Sequence, residues 1–506
     1  MKKLWRFITG RLMIVIPLVL LQLGFFIFLF YSSAAYSRAM PFINVLAIMI
    51  AVYIINRKND PSYKIGWLLL VLAAPIIGIP LYLITGNRKV PKKLRNGTIQ
   101  ASRTLAKMLH PDESILDDIK DEDATQMLRY GIGVGFPVYQ NTKSTYFSSG
   151  EEWYPVFKKA LQSAKHFIFL EYFIINQGWM LNDLITLLKK KVDEGVQVVL
   201  IYDDFGGLDI PIHFDQHLRK VGIETYRFNK IRPSLAALMN NRDHRKITVV
   251  DNRIAFTGGV NISDEYINRY QRFGYWKDSA IMIEGEAVWS FTCMFLGMYT
   301  YLHDPSEYID YERYHIEYSN VQDTRGYYQP YSDTPTDEET LALNMHLNMI
   351  HHVKKYVYID APYLILTESM KAALKMAAKN GVDVRILTPH IPDKKLVFQI
   401  TRGHYADLVE NGVKIYEFTP GFNHAKNIVM DDKFGIVGTA NTDYRSYFLH
   451  FENGVLMYQT DSILMMKQNF LEALKDSQEI TVENVRKTVW IVRVFRAILN
   501  VFIPLV

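Results

Sequence analysis

The stretch from His244 to Asn261, HRKITVVDNRIAFTGGVN, returns from His424 to Asn441 as HAKNIVMDDKFGIVGTAN. His244 and His424, Lys246 and Lys426, Asp251 and Asp431, Gly258 and Gly438, and Asn261 and Asn441 are each 180 positions apart. A polar pattern repeated in register over that distance predicts a chain built from two similar halves. In each copy an apolar run follows the lysine, Asp-Asn or Asp-Asp interrupts it, and a second apolar run follows, which predicts a β-hairpin. Alternate residues of a strand share a face, so His244 points with Lys246 and His424 with Lys426. Two imidazoles, two ammonium groups and two Asn amides then converge on one anion. A phosphodiester suits them, because its transition state needs several fixed cations or hydrogen-bond donors. One histidine can attack phosphorus to give a phosphohistidine, while the other protonates the leaving alcohol and later deprotonates the acceptor. Lysines and amides supply the charge stabilisation, so neither a metal nor another cofactor is expected.

These paired patterns resemble the twin HKD motifs of the phospholipase D superfamily, and the rest of the chain is similar to bacterial cardiolipin synthases. The resemblance implies that His244 is the nucleophile and His424 the general acid and base. Lys246, Lys426, Asn261 and Asn441 would bind the phosphoryl oxygens. The family often carries Ser after the motif glycine; Gly259 and Thr439 stand there, so a hydroxyl for the phosphate is expected only in the second copy. Asp251 and Asp431 complete the motifs, and their place at the hairpin turns favours turn geometry and support. A reacting imidazole also needs an acceptor on its other nitrogen. Asp278, 34 residues beyond His244, and Glu452, 28 beyond His424, each precede a strand-like apolar run. The resemblance places the imidazole-orienting carboxylates at these two positions.

The formal charge of +5 over 506 residues is unevenly spread. Residues 1–95 hold 13 Lys and Arg against Asp60, a net of +12, and residues 481–506 a net of +3. The remaining 385 residues carry 40 basic and 50 acidic side chains, a net of −10. A nucleic-acid binder needs its basic face on the catalytic body, so nucleic acid is not an expected partner. Positive charge flanking apolar segments points instead to a membrane surface. The one cysteine, Cys293 in AVWSFTCMFLGMY, excludes an internal disulfide and a cysteine-rich metal site and reads as a buried small hydrophobe.

Along the chain, Leu12–Tyr31 offers 20 residues without a charge, long enough to span a bilayer and too long for a signal-peptide core. A second span is expected at about residues 36–56. A third apolar segment, 65–85, is interrupted by Pro75, Gly78 and Pro80. Three of the four flanks of these segments are basic, which three simple spans cannot place on one side. The third segment is therefore read as re-entrant, with a true span as the alternative. Residues 96–145 form a polar connector. The first catalytic repeat covers residues 146–305, a linker 306–340, and the second repeat 341–476. Both repeats alternate strand and helix, with Glu171 matching Asp360 and Gly195 matching Gly381, so two α/β halves are expected. In the resemblance these are phospholipase D-type halves about a pseudo-two-fold axis, preceded by transmembrane helices. Arg227–Arg242 is an apolar patch with basic edges that reads either as a short helix packed in the core or as a loop admitting lipid chains, and Arg227, Lys230, Arg232 and Arg242 are candidate headgroup contacts. The tail, residues 480–506, is read as one amphipathic helix on the membrane, with Arg486, Arg493, Arg496 and Asn500 inside about an 80° arc.

The sequence thus reads as a multi-pass membrane enzyme with its catalytic body on the cytoplasmic side. The resemblance implies cardiolipin synthesis: phosphatidylglycerol is both donor and acceptor, and glycerol leaves. Hydrolysis of phospholipids to phosphatidic acid is the alternative, since it would use the same motif residues.

Overall fold

The computed structural model describes residues 24, 25, 28, 33–86, 90–230, 241–304, 306–316, 321 and 324–502. Leu12–Tyr31 lies almost entirely outside them, as does the apolar patch at residues 231–240. The chain divides into a smaller unit, formed by the N-terminal 92 residues, residues 231–240 and residues 489–506, and a larger one that holds both repeats.

In the larger unit, strands β1 (Thr142–Phe147), β2 (Phe167–Tyr172), β3 (Gln197–Asp203), β4 (Glu224–Phe228), β5 (Arg242–Asp243), β6 (Lys246–Val250), β7 (Ile254–Gly258), β8 (Tyr275–Lys277) and β9 (Ala280–Gly285) belong to the first repeat. The second supplies β10 (Tyr327–Asp333), β11 (Tyr356–Asp360), β12 (Asp383–Pro389), β13 (Lys414–Phe418), β14 (Gly421–Asn423), β15 (Asn427–Met430), β16 (Phe434–Gly438), β17 (His450–Tyr458) and β18 (Ser477–Ile480). The repeats are thus longer than the sequence bounds: β1 begins inside the stretch read as connector, β10 lies inside the stretch read as linker, and β18 follows residue 476, each paired into its sheet along an edge that the motif pattern does not mark. One sheet runs β1-β9-β7-β6-β2-β3-β4 and the other β10-β17-β16-β15-β11-β12-β13-β18. Apart from β18 the order is the same strand for strand, as the duplicated motif requires. β2 pairs in parallel with β3 and β11 with β12, each through a crossover helix, Trp179–Asp193 and Glu368–Lys379. Both helices are followed by a glycine at positive φ, Gly195 (86°) and Gly381 (90°), which releases the chain into the next strand. Every residue of β2, β6, β7, β11, β15 and β16 is buried, because helices cover the sheets. Cys293 is buried in the helix Val288–Leu302.

The motif hairpins are β6–β7 and β15–β16. Their turns place Asp251 and Asn252 at φ 53° and 56°, and Asp431 and Asp432 at 54° and 59°. Two successive left-handed residues match the twist of the flanking strands, and Asp and Asn tolerate that conformation better than most side chains. Asp251 also accepts the backbone N–H groups of Lys165 (2.7 Å), His166 (2.8 Å) and Phe167 (2.7 Å), fixing the entry to β2. Asp431 does the same for Lys354 (2.7 Å), Lys355 (2.8 Å) and Tyr356 (2.9 Å) before β11.

The smaller unit contains helices Ser33–Ile55, Pro61–Ala73, Pro75–Leu81 and Trp490–Phe502. Its core is Ala47, Ile54, Tyr63, Trp67, Val71, Ile79 and Tyr82, with the Trp67 and Tyr82 rings 5.2 Å apart. The third apolar segment breaks at Ala74 (φ −138°, ψ 63°), where the following Pro75 disfavours helix. Val45, Ile48, Met49, Val52, Ile65, Leu69 and Leu72 remain exposed. Among the described residues no helix is long and apolar enough to cross a membrane. The tail is not one helix. Val482–Arg486, capped by Thr481 and Asn484, ends before Thr488, and Trp490–Phe502 starts afresh. Arg486 reaches Glu410 of the larger unit (3.7 Å), while Arg493 and Arg496 lie on the second helix.

Truncating Asp251 strips three buried or half-buried amides of their acceptor, whereas the Lys354 and Lys355 amides can turn to water. Asp251→Ala should therefore destabilise by about 2–3 kcal/mol and Asp431→Ala by less. Thermal unfolding of the two full-length variants, compared with the parent, checks the order.

Candidate active site

The histidines are brought together where the two repeats exchange strands. β5 pairs in parallel with the start of β17, placing Arg242 beside His450 and Asp243 beside Phe451. β14 pairs in parallel with β8, placing Phe422 beside Trp276 and Asn423 beside Lys277. The next residue closes each ribbon: the His244 amide donates to the Phe451 carbonyl (2.9 Å) and the His424 amide to the Lys277 carbonyl (2.7 Å). One residue beyond each carbonyl stands a carboxylate. Glu452 receives Nδ1 of His244 on both oxygens (3.0 and 2.9 Å), and Asp278 receives Nδ1 of His424 on Oδ2 (2.6 Å). Spacing along the sequence associates Asp278 with His244 and Glu452 with His424. The structure crosses them, because the carboxylate is delivered by the strand that pairs in parallel with the segment before the histidine, and that strand belongs to the other repeat.

All six groups are buried: His244, Lys246, Asp278, His424, Lys426 and Glu452. Burial pushes His244 well below the usual imidazole range and His424 down to about 4. Burial also opposes ionisation of the acids, but His424 and Lys426 outweigh it at Asp278, and His244 with His450 does so at Glu452, so both stay below their usual values. Each pair is thus a neutral imidazole donating Nδ1–H to a carboxylate, which leaves Nε2 with its lone pair. Lys246 donates to the His244 carbonyl (2.6 Å) and Lys426 to the His424 carbonyl. Burial brings Lys246 down to about 7 and Lys426 to about 8, and each lies near enough to the opposite carboxylates to feel their charge. Phe173 packs on His244 (ring centroids 5.0 Å), and Tyr266 (5.3 Å) and Trp276 (5.1 Å) pack on His424.

The other expected residues divide. Asn261 accepts the Ile174 amide (2.9 Å) and donates to the Tyr266 hydroxyl (2.8 Å), so its amide is committed to the fold. Asn441 is buried with its side-chain oxygen lacking a hydrogen-bond partner among the described residues. Thr439 donates to Oε2 of Glu452 (2.6 Å) rather than standing free for a phosphate. At the matching position a Cβ on Gly259 would lie 1.9 Å from Oδ1 of Asp278. Both positions therefore serve the carboxylates. Asp251 and Asp431, at the far ends of β6 and β15, are structural supports and do not join the histidines. Two of the basic residues offered as headgroup contacts are already ion-paired: Arg227 with Asp204 (3.4 Å) and Asp215 (3.5 Å), Arg242 with Asp203 (3.3 Å).

Sequence reasoning passed over His450, whose ring centroid is 5.5 Å from that of His244. The signal was present: it precedes Glu452 by two residues, as Trp276 precedes Asp278. It also missed the buried cluster in which Arg245 bridges Glu171 (2.5 Å) and Asp243 (3.1 Å) behind the first motif. Ligating atoms of His244, His450 and Glu452 lie within 4.8 Å of one another. Glu452 is committed to Nδ1 of His244, however, and with Lys246 alongside, the arrangement favours an anion over a cation.

Comparison with known proteins gives the family of the chain. The family profile described as "Cardiolipin synthase, PLD-like domain" matches residues 157–284 and 346–474, and one described as "Phospholipase D-nuclease N-terminal" matches residues 45–87. A cardiolipin synthase of Geobacillus sp. is 33% identical over 470 residues, covering 91% of this chain and 92% of its own. One from Halalkalibacterium halodurans is 29% identical, covering 98% and 99%. An uncharacterised protein of Streptococcus mutans is 42% identical over 86% of this chain and 95% of its own. Among solved structures, phosphatidylserine synthase of Haemophilus influenzae superposes with a TM-score of 0.56 at 14% identity, over 72% of this chain and 94% of its own, a likeness of fold. The chain belongs to the cardiolipin synthase family of phospholipase D-like proteins.

The lysine values carry a pH consequence. Each lysine loses its charge as pH rises through about 7 (Lys246) or about 8 (Lys426), so anion affinity should fall across that window. Above it the fall is about tenfold per pH unit for each lysine that must be charged. Calorimetric titration with sulfate, which does not itself titrate there, measures it; a Lys246→Arg, Lys426→Arg double variant should lose the steep limb.

Proposed function

We infer that the protein is a cardiolipin synthase that transfers a phosphatidyl group from one phosphatidylglycerol to another. The observation that carries this reading is the pair of crossed imidazole–carboxylate couples with two buried lysines between them. In the first step Nε2 of His244 attacks the phosphodiester, forming a P–N bond as the P–O bond to glycerol breaks. His424, protonated from solvent as the negatively charged phosphodiester enters beside it, gives that proton to the departing glycerol oxygen and recovers one from the acceptor in the next step. In the second step His424 takes the proton from the glycerol hydroxyl of a second phosphatidylglycerol. That oxygen attacks phosphorus, and His244 leaves as cardiolipin forms. Lys246 and Lys426 hold the phosphoryl oxygens as charge develops on them. Water is the competing acceptor, and the burial of both histidines favours a docked lipid alcohol over bulk solvent.

A lipid substrate calls for a membrane, and three observations support one. The N-terminal 95 residues have a net charge of +12, the helices of the smaller unit expose apolar faces, and the N-terminal profile matches residues 45–87. In this reading Leu12–Tyr31 and residues 36–56 span, residues 65–85 enter and return, and the catalytic halves face the cytoplasm.

Labelled phosphatidylglycerol in vesicles should yield cardiolipin and glycerol, with activity surviving excess chelator. Accumulation of phosphatidic acid alone would make the protein a hydrolase. His244→Ala and His424→Ala should each lower turnover by about a thousandfold or more while folding is kept. Accessibility tags after Lys93 and at Ser33 should appear on opposite sides of the membrane; same-side labelling would remove the two-span arrangement.

A further inference from the structure

The two imidazole–carboxylate couples are not equal. Asp278, the shorter acid, is fixed by one histidine (2.6 Å) and by its neighbour's amide, Ser279 N donating to Oδ1 (2.8 Å). Glu452 has one more rotatable bond and faces three side chains: His244, Thr439, and His450, whose Nδ1 lies 3.5 Å from Oε1. The seam geometry makes His450 and Trp276 counterparts, since each pairs with the residue two before a motif histidine, Arg242 in one ribbon and Phe422 in the other. Trp276 gives His424 an apolar ring; His450 gives the other couple a second imidazole.

His450 is 8% exposed, and neither ring nitrogen has a hydrogen-bond partner among the described residues. Burying an imidazole in that condition is unfavourable unless a small adjustment satisfies it. The carboxylate at 3.5 Å is placed to do so. Burial keeps the ring neutral; the charged groups bearing on it are Glu452, Arg445 and Asp443, with His244 as its other imidazole neighbour. A neutral ring can donate one N–H to Glu452 without adding charge to the site.

We propose that His450 is a positioning residue for the His244–Glu452 couple, a second imidazole donor that keeps the long glutamate turned towards Nδ1 of His244. It acts through Glu452 and does not touch the reacting phosphorus. Without it, Glu452 is held only by His244 and Thr439, and the partner that fixes the His244 tautomer and makes Nε2 nucleophilic is oriented less firmly. Leu at position 450 removes the donor, while Asn restores an N–H at nearly the Nδ1 position.

The inference rests on the reading of His244 as a reacting group, so the test reads His244 directly. Diethylpyrocarbonate reacts with the free nitrogen of a neutral imidazole, and mass spectrometry of the full-length protein separates the His244 and His424 peptides. In His450→Leu the His244 rate should fall about tenfold or more while the His424 rate, an internal control, is unchanged. His450→Asn should recover most of the rate. With phosphatidylglycerol vesicles, His450→Leu should lower kcat with KM unchanged. An unaltered His244 rate in His450→Leu overturns the inference. So does equal slowing in the Leu and Asn variants, or slowing of both histidines together, since either marks a packing defect. Absence of cardiolipin from the wild type would sink the transfer reaction, while the labelling comparison would still decide the role of His450.

Discussion

Two short parallel ribbons, β5 with β17 and β14 with β8, set the chemistry of this molecule. Each has only two or three residue pairs, yet each passes a backbone carbonyl to a motif histidine and a carboxylate to its Nδ1. The acids are fully buried, yet both stay below their usual values because charged or hydrogen-bonding partners stand against them, His424 and Lys426 at Asp278 and His244 and His450 at Glu452. Withdrawing one partner from such a buried pair costs about 3–5 kcal/mol, more than a neutral hydrogen bond contributes, because a charge is left without compensation. The ribbons therefore hold the halves in register while aiming the side chains that react. One ribbon grows directly out of a sheet, since β17 also pairs with β10 and β16.

The same energetics explain why the lysines sit so low. Desolvation would discharge them altogether if the two carboxylates did not resist it, and the balance falls near neutrality. A phosphodiester entering this space replaces lost hydration with a full negative charge, so the lysines are fully charged when it is present. Binding and activation of the phosphoryl group are one electrostatic event.

The duplicated motif, the hairpins and the two α/β halves were legible because they depend on local pattern: strand alternation, turn residues and a fixed interval; the carboxylate positions came from the family resemblance alone. Which carboxylate serves which histidine was not legible, because that pairing is made by strands of opposite repeats, and no interval along one repeat encodes it. Thr439 was misassigned for a related reason. Its hydroxyl satisfies Glu452, and Gly259 is small because Asp278 fills the matching space; both facts need three dimensions. The motif's Asn residues look alike in sequence, yet Asn261 is consumed by Ile174 and Tyr266 while Asn441 keeps an unpartnered oxygen. The tail read as one helix from its periodicity, but a capping box and a break at Thr488 divide it between the two units.

The crossing of the couples has a consequence for how the enzyme comes into being. A nascent chain that has completed only its first repeat presents His244 without its carboxylate and Asp278 without its imidazole. Such an intermediate has the nucleophile in its sequence but no means of fixing its tautomer, and a carboxylate destined for burial still needs water. Competence appears in one step, when β14 and β17 close against the finished first half. A fragment that ends before β14 and β17 consequently lacks both complete couples, and with them the arrangement that activates Nε2.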